Sequence, residues 1–553
     1  MDQPHQRATR DSRRSYGALM ENHSFNLVDE AWVPAVKGGR PMPVSLLDAL
    51  VRAHEIDGLA TASPLETVAV LRQVLLPVYL EACGVPDGED DWERRWQAGQ
   101  PEDGVVERYL AGLRGRFDLF GDRPFGQVAG LRTAKDEDKP VSLLVAATAT
   151  GNNVPLFTPR TEANPPPLTP AEAARAMLAA QCWDTAGIKS GAADDPQMKA
   201  GKTTGNPTGP CGALGVVVPI GRNLFETLLL NSPIVRQPPS DDAPHWRRPA
   251  MTGAWKNRGA LGLLDLLTWQ SRRIRLIPER NADGETVVRR VVLAAGDRLQ
   301  LIPRDVEPHT AWRAVDKPRA GHASTVPVRH PSGRHAWRGL TPLLATVADP
   351  DTTFSSSILL TQLGDVDVAD LPLQVLTVGV AYGNQSAVVE DVIADAIPLP
   401  LAALTAGDVR AVIEMVVEQA EGLRRAGNRL DDDLRRANGG DPVPWDKGLR
   451  LGDALIHDLN RVVRRLLAGL QREPDRYEEA ERTWRTVAYE VALKAAEPAM
   501  AAVSPTAFLG REDGKQKKTY RASLAEVWYQ ASVRKILGVE PRPHLTTERK
   551  TYA

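Results

Sequence analysis

The sequence predicts an α+β protein with a large mixed α/β N-terminal body and a C-terminal four-helix bundle. Two observations support this prediction. Residues 213–400 alternate short apolar runs with turn residues, which is typical of strands joined by loops. After residue 401 the apolar residues recur at helical spacing in four successive segments, which is typical of a helix bundle. Hydrophobic residues make up 42% and charged residues 25% of the 553 residues, so we expect the chain to fold rather than remain disordered.

The predicted elements begin near residue 26. Residues 1–25 are predicted to be a disordered extension, and residues 26–34 (Asn-Leu-Val-Asp-Glu-Ala-Trp-Val-Pro) a short strand that is apolar on both faces. From Pro64 to Cys83 the apolar residues have helical spacing and predict a helix. The extension lacks the apolar centre of a signal peptide, and no run of about 18 apolar residues follows. We therefore expect a cytoplasmic protein without a membrane span.

Three apolar runs in the middle of the chain predict a meander of paired strands. Ile274–Ile277 is predicted to pair with the next two runs, Val287–Leu293 and Leu299–Ile302. Gly296, Asp297 and Arg298 lie between the last two runs and are predicted to form a hairpin turn. A single cation is therefore predicted at an exposed position between strands.

The C-terminal part reads as four amphipathic helices over residues 401–540, followed by a short tail at 541–553. The fourth helix opens with Ser523 and Glu526, which have the spacing of a capping box. Successive helices of this length, joined by Gly-, Asp- and Pro-rich turns, are best packed as a four-helix bundle. The first domain, of mixed α/β structure, is predicted to span residues 26–400.

Composition and motif searches exclude several classes of protein. Lys and Arg number 68 and Asp and Glu 70, so the net charge of −2 excludes a histone-like basicity but allows a local basic groove. The three cysteines lie far apart and form no CxxC pair, which excludes a disulfide scaffold and a multi-cysteine zinc site. HExxH, GxSxG and GxGxxG after a strand do not occur. We therefore expect a protein that is not an enzyme and uses no metal or cofactor.

One segment imitates a phosphate-binding loop and ends in Gly201-Lys202-Thr203. A P-loop needs glycine at its first position, a buried strand before it and a helix after it. The first position here is Pro196, and Gly205 with two following prolines opposes a helix. An NTPase that uses Gly201, Lys202 and Thr203 stays an alternative. So does a flexible loop whose lysines and threonines approach a phosphate backbone.

A second segment, Gly383-Asn384-Gln385-Ser386, lies between two apolar runs. Two adjacent uncharged amides behind a glycine can offer hydrogen-bond donors and acceptors to base edges. Turn chemistry alone also explains an Asn-Gln pair at this place. The segment is a candidate nucleic-acid contact only in combination with other features.

Taken in order, these segments resemble the large subunit of the type I-E CRISPR surveillance complex, Cascade. The resemblance rests on the opening segment 26–34, on Arg123-Pro124-Phe125-Gly126-Gln127, on the long Asn- and Phe-containing loop 151–157, on the Asn-Gln-Ser turn and on the terminal bundle. Each segment is short, but their common order extends from about residue 26 to residue 540.

The resemblance implies a non-catalytic subunit of an RNA-guided antiviral complex. Such a subunit reads the protospacer-adjacent motif of double-stranded target DNA through the minor groove, starts strand separation for R-loop formation and recruits a helicase–nuclease effector. The implied partners are this DNA, the guide RNA, the other Cascade subunits and the effector, with no membrane. A helical scaffold protein without nucleic-acid binding stays the second alternative.

The resemblance also implies roles for individual residues. Motif reading falls on Gly201, Lys202, Thr203 and Arg298; the strand-separating wedge on Gly383, Asn384, Gln385 and Ser386; and docking on guide RNA and neighbouring subunits on Asn152, Asn153 and Phe157.

Overall fold

The computed structural model describes residues 23–60, 63–146, 166–316, 323–345, 353–368, 371–444, 448–513 and 518–540. These described residues divide into two compact units, one built from those within 23–336 and 345–396, the other from those within 337–344 and 397–540. The α+β class predicted from the sequence is confirmed.

The helices in chain order are α1 Leu46–Val51, α2 Pro64–Val70, α3 Leu76–Cys83, α4 Glu89–Ala98, α5 Val105–Leu113, α6 Pro170–Trp183, α7 Leu224–Leu230, α8 Leu263–Leu267, α9 Leu340–Leu344, α10 Ile358–Gln362, α11 Ala402–Thr405, α12 Gly407–Ala437, α13 Leu451–Arg472, α14 Tyr477–Ala501, α15 Thr506–Leu509 and α16 Ala522–Leu537. The strands are β1 Ala35–Lys37, β2 Arg40–Pro41, β3 Gly58–Leu59, β4 Lys139–Pro140, β5 Gly187–Ser190, β6 Lys202–Asn206, β7 Val216–Ile220, β8 Asn257–Arg258, β9 Arg272–Arg280, β10 Thr286–Ala295, β11 Arg298–Leu299, β12 Trp312–Ala314, β13 Thr325–Pro327, β14 Phe354–Ser355, β15 Gln374–Tyr382, β16 Val389–Pro398, β17 Arg511–Asp513 and β18 Lys518–Tyr520.

The strand predicted at residues 26–34 is wrong. The backbone turns at Asn26, whose carbonyl accepts hydrogen bonds from the next two exposed residues, Asp29 and Glu30. This turn buries Leu27 and Trp32 together, and the Trp32 indole N–H donates to the Leu27 carbonyl at 2.8 Å. Shared burial of two side chains five residues apart therefore overrides the strand pattern. The first regular strand, β1, follows directly and pairs with β2 and β3.

The helix predicted from Pro64 to Cys83 is confirmed, with one irregularity. A single π-helical turn at Leu71–Leu75 lies between α2 and α3, and it buries Arg72 and Gln73 within an otherwise apolar helix. A π-turn is frequently found at functional or special positions because it widens the helix locally. Here it places a cation in the interior of the first unit.

The largest sheet of the first unit is built around β10. One edge of β10 pairs antiparallel with β9 over its whole length, and the other edge pairs with β4 and then with β5. The β9–β10 turn is stabilised by residues within the turn itself. The Asn281 side-chain oxygen accepts hydrogen bonds from two backbone N–H groups of the turn, and Gly284 has a φ of +80°. Strand β6 lies beside β5 at the end of the sheet.

A second sheet in the same unit has the strand order β16-β15-β7, in which β15 and β7 are antiparallel and largely buried. Helix α6 begins with a complete capping box, in which Thr169 and Glu172 satisfy each other's backbone N–H groups, and Pro170 occupies its first turn. The last residues of α6 lead directly into β5. This connection positions the candidate site described below.

The second unit contains the predicted four-helix bundle, formed by α12, α13, α14 and α16. Helices α12 and α13 approach closely at Gly427 and Gly452. A Cβ atom on Gly452 would lie 2.2 Å from the carbonyl oxygen of Arg424, so only glycine permits this approach. Among the described residues, no helix is both long and apolar enough to cross a membrane.

Candidate nucleic-acid interface

The segment that imitates a P-loop forms a β-hairpin. Residues Lys199 and Lys202 exchange backbone hydrogen bonds of 2.9 and 3.0 Å across a two-residue turn, in which Ala200 and Gly201 have φ angles of +49° and +77°. Two successive positive φ angles are typical of the turn that joins twisted hairpin strands. Gly201 is therefore required by the backbone conformation of the turn. Lys202 is the first residue of β6, and its side chain is exposed.

This hairpin contradicts the NTPase alternative. After Gly201 the chain continues as strand β6, and Thr203 is buried, with its hydroxyl 3.4 Å from the Asp195 carboxylate. The N–H groups of Lys199 and Lys202 bond to each other's carbonyls across the turn, and Lys202 and Thr203 pair with β5, so the backbone does not wrap around a phosphate as in a P-loop. The next helical residues, Pro210–Ala213, form one 3₁₀ turn. The strand–loop–helix arrangement that a nucleotide phosphate requires is absent from the described residues 187–213.

The predicted hairpin turn at Arg298 is also wrong. The pairing of β9 with β10 is confirmed, but the third strand leaves this sheet: β11, which starts at Arg298, pairs in parallel with β8. Gly296 permits the departure, because a Cβ atom there would lie 2.4 Å from the backbone nitrogen of Arg272. Arg298 is therefore placed on a short strand beside Asn257.

Although its strand was predicted wrongly, Arg298 lies against the hairpin that carries the other motif-reading residues. Its guanidinium donates to the Thr204 carbonyl at 2.6 Å and to the Asn206 side-chain oxygen at 3.3 Å. The guanidinium also stacks 3.8 Å from the ring centroid of Trp255. Burial lowers the pKa of Arg298 from its usual value, and the neighbouring Arg272 cation lowers it further.

The predicted wedge is an exposed turn between β15 and β16. Asn384–Ser386 form a 3₁₀ turn in which Gln385 has left-handed backbone angles, φ +53° and ψ +23°. This conformation costs a residue other than glycine about 1 kcal/mol or more, so the surrounding structure must hold it. A Cβ atom on Gly383 would lie 2.4 Å from the Glu390 carboxylate, which explains the glycine. Asn384 and Gln385 are both exposed.

The wedge turn is joined to the hairpin through the end of α6. The Ala186 N–H donates to the Ser386 carbonyl at 2.8 Å, and the Tyr382 hydroxyl donates to the Trp183 carbonyl at 2.6 Å. Ala186 directly precedes β5. The described residues of both predicted groups, motif reading and wedge, are therefore brought to one place; Asn152, Asn153 and Phe157 lie outside the described residues.

A buried arginine, Arg272, connects the two ends of the β5–β6 hairpin. The Arg272 side chain is 1% exposed, forms an ion pair with Asp184 and donates to the carbonyls of Thr185 and Pro207, each at 2.8 Å. Lys189 adds a second ion pair to Asp184 at 2.7 Å. Burial alone would raise the pKa of Asp184, but these two cations hold it below its usual value. The start and the end of the β5–β6 hairpin are thus fixed to one side chain.

Sequence reasoning missed several residues of this site. Trp255 provides the surface on which Arg298 stacks, and Asn206 bonds to the same guanidinium. Lys256 is exposed, and its carbonyl accepts from the Arg298 N–H at 2.8 Å. The run Trp255-Lys256-Asn257-Arg258, in which an aromatic residue precedes basic ones, is the signal that could have indicated them. The described residues contain no group of three or more His, Cys, Asp and Glu side chains placed to hold a metal ion.

The fold defines a class of protein: an α+β body with a C-terminal helix bundle, the architecture that the resemblance implies for the large subunit of a CRISPR surveillance complex. The family model described as "CRISPR-associated protein Cse1" matches residues 26–495. This chain therefore belongs to the Cse1 family, and the resemblance to the type I-E Cascade large subunit is confirmed.

Individual relatives agree with the family match. The CasA/Cse1 protein of Thermus thermophilus is 38% identical over 265 residues, which are 46% of this chain and 49% of that relative. The match thus spans about half the length of the curated relative. The crystal structure of Thermobifida fusca Cse1 has a TM-score of 0.80 at 30% identity and covers 94% of this chain and 99% of its own. That of Acidimicrobium ferrooxidans Cse1 has a TM-score of 0.78 at 29% identity, with coverages of 94% and 98%.

Proposed function

We propose that this protein is the DNA-recognition subunit of a type I-E Cascade complex. In this role it reads the protospacer-adjacent motif of double-stranded target DNA through the minor groove and opens the first base pairs beside the motif. One observation carries the proposal: Arg298 bonds to the β6 backbone at Thr204, and the amide turn bonds through Ser386 to the residue before β5. A motif reader and a wedge can therefore meet the same few base pairs.

The composition of the hairpin suits a minor-groove reader. The minor groove distinguishes A·T from G·C pairs but little else, so a short backbone loop with nearby cations gives a tolerant reader. Gly205 has a left-handed φ of +68°, and it presents bare backbone 3.7 Å, measured from where a Cβ atom would lie, from the Arg298 guanidinium. The exposed lysines Lys199, Lys202 and Lys256 add attraction to the negative potential of a narrow groove.

The amide turn suits strand separation. A wedge must occupy the space of an unstacked base pair and offset an unstacking cost of a few kcal/mol. Asn384 and Gln385 are exposed, adjacent and uncharged, so they can fill this space and hydrogen-bond to base edges. Sequence specificity beyond the motif then comes from pairing with the guide RNA, as in other RNA-guided systems.

The partners in this proposal are the guide RNA, the other Cascade subunits, the target DNA and a helicase–nuclease effector. We propose a non-catalytic role with no cofactor, because the recruited effector supplies the chemistry. Docking on the guide RNA is assigned to Asn152, Asn153 and Phe157 from the family resemblance.

The test uses Cascade assembled on a guide RNA with this subunit. Labelled duplexes that match the guide and differ only in the base pairs beside the protospacer are compared for association rate. We expect at least about a tenfold preference for a subset of motifs, because each wrong pair in a recognition site costs about 1–3 kcal/mol. The complex without this subunit is the control and should not discriminate. Equal association with every motif would overturn the proposal, and absent duplex binding at all salt concentrations would favour the helical scaffold.

A further inference from the structure

An exposed aliphatic side chain lies between the two halves of the candidate site. Ile188, on β5, has 64% of its surface exposed, which is among the largest exposed fractions of any apolar residue in the described chain. The next residue on β5 is basic, Lys189, and the opposing residue Thr204 on β6 is polar. A single exposed apolar residue is common on protein surfaces, so its exposure alone indicates nothing. Its backbone position is more informative.

A β-bulge fixes the position of Ile188. Gly187 pairs with Asn206 and Lys189 pairs with Thr203, so two residues of β6, Thr204 and Gly205, oppose the single residue Ile188. Gly205 has the left-handed φ of +68° that is typical of such bulges. Bulges next to binding sites often redirect one side chain, and this one interrupts the pairing beside Ile188.

The neighbouring bonds place Ile188 inside the proposed interface. Lys189 extends to the partly buried Asp184, and successive side chains of a strand lie on opposite faces, so Ile188 lies on the outward face. Thr204, which opposes it, accepts the hydrogen bond of Arg298. Ala186, two residues before it, donates to the wedge turn. Ile188 therefore lies between the proposed motif reader and the proposed wedge.

We propose that Ile188 inserts from the minor groove into the base step beside the motif and unstacks it before the amides occupy the opened pair. The occupant of this surface is a base step of duplex DNA, and the inference rests on the proposed function. Proteins that kink DNA from the minor groove use Phe, Leu, Ile, Met or Pro in this manner. The aliphatic surface of Ile188 is exposed to water in the free protein. Insertion between bases would remove this surface from water, which favours binding.

The test places 2-aminopurine in the base step beside the motif and measures its fluorescence on binding of the assembled complex. Wild type should raise the fluorescence because the base loses its stacking. Ile188→Ala and Ile188→Ser should lower the binding affinity for fully paired target at least about tenfold, since each removes the three carbons beyond Cβ, and should reduce the fluorescence change. Ile188→Met, which keeps an apolar side chain, should retain most of the binding affinity and most of the fluorescence change.

The matched control is Val527→Ala, which truncates an equally accessible branched side chain (59% exposed) in the second unit. It should leave both readouts unchanged, and all variants should keep the wild-type melting temperature because their side chains are exposed. Wild-type behaviour of Ile188→Ala and Ile188→Ser would overturn this inference alone. A wild-type complex that gives no motif-dependent fluorescence change would instead overturn the proposed function.

Discussion

Arg72 and Glu307 form a buried ion pair although 235 residues separate them in the sequence. Arg72 Nη1 donates to Glu307 Oε1 at 2.8 Å, and the second guanidinium nitrogen bonds to the other carboxylate oxygen. The two side chains are only 3% and 1% exposed. Arg72 also contacts His309, whose other ring nitrogen lies 3.2 Å from the Asn231 amide oxygen. The π-turn of the first long helix is thus tied to the segment that precedes β12.

Removing one member of this pair should destabilise the first unit strongly. Arg72→Met leaves the Glu307 carboxylate buried without a partner, and breaking a buried pair in this way costs about 3–5 kcal/mol. Urea denaturation, followed by tryptophan fluorescence, should show the transition of the first unit at a clearly lower urea concentration. Arg52→Met, which removes an exposed ion pair to Glu55, is the control and should leave the midpoint unchanged. An unchanged midpoint for Arg72→Met would show that the interior tolerates the unpaired carboxylate.

Arg298 is expected to act by geometry as well as by charge. Lysine keeps the charge but loses the planar stack on Trp255 and the directed bonds to Thr204 and Asn206. Arg298→Lys should therefore weaken discrimination between motifs but keep the salt dependence of duplex binding. Arg298→Ala should weaken discrimination between motifs and also make duplex binding less dependent on salt, with a slope lower by about one counterion.

These variants are measured by titrating labelled duplex at several salt concentrations, with Arg313→Ala, an exposed arginine on β12, as the control. Arg313→Ala should leave discrimination between motifs unchanged. If Arg298→Ala kept the wild-type affinity and salt slope, Arg298 would not belong to the interface.

Local chemistry explains which parts of the fold could be predicted. The turn between β9 and β10 depends on Asn281 and Gly284 alone, so the sequence indicated both the turn and the pairing. The helix at Pro64–Cys83 follows from apolar spacing along one segment. By contrast, β11 pairs with β8, which lies 41 residues earlier at Asn257, and no pattern within either strand encodes that choice.

The site shows the same division between local and distant information. The sequence indicated the Asn384-Gln385 turn because a glycine and two amides between apolar runs are visible at one place. The bond from Arg298 to Thr204 spans 94 residues and depends on where Gly296 directs the chain. The bonds of Arg272 to both ends of the β5–β6 hairpin could not be predicted, because in the sequence it is an ordinary basic residue at the start of a strand. Its role comes only from burial against the α6–β5 connection.

A buried histidine predicts acid sensitivity of the first unit. Burial, with a smaller effect from the nearby Arg248 and Arg123 cations, lowers the pKa of His245 from its usual 6.5 to about 3. The folded protein therefore keeps this ring neutral, whereas the unfolded chain binds a proton below about pH 6.5. The stabilising effect is fully present above pH 6.5 and is lost progressively as the pH falls towards 3.

For this single group the loss between pH 7 and pH 5.5 is about 1 kcal/mol. His245→Phe keeps a ring between Phe125 and Trp246 and removes the titrating nitrogen. Urea denaturation at the two pH values should show a loss in unfolding free energy that is smaller in His245→Phe by this amount. Equal losses in His245→Phe and wild type would contradict the buried, neutral state of His245.

The last prediction concerns the separate contribution of Asn384 and Gln385 to strand opening. If the pair stabilises opened base pairs, the double variant Asn384→Ala/Gln385→Ala should leave initial duplex association largely intact. It should slow R-loop formation on fully paired target about tenfold or more, since each DNA stacking step costs about 1–2 kcal/mol to open. A mismatch bubble beside the motif removes that cost in advance, so the double variant should recover on bubbled DNA. Permanganate footprinting measures the R-loop rate on both targets.

A second variant separates the amides from the strained backbone. Gln385 has a left-handed φ of +53°, which glycine adopts without cost, so Gln385→Gly removes one amide while relieving the strain. It should keep or raise the melting temperature and still slow R-loop formation on paired DNA. An equal defect of the double variant on paired and bubbled targets would mean that the turn contributes contacts or folding stability instead. A normal rate for both variants on paired DNA would remove the amides from strand separation, because neither side chain would then be needed to hold a base pair open.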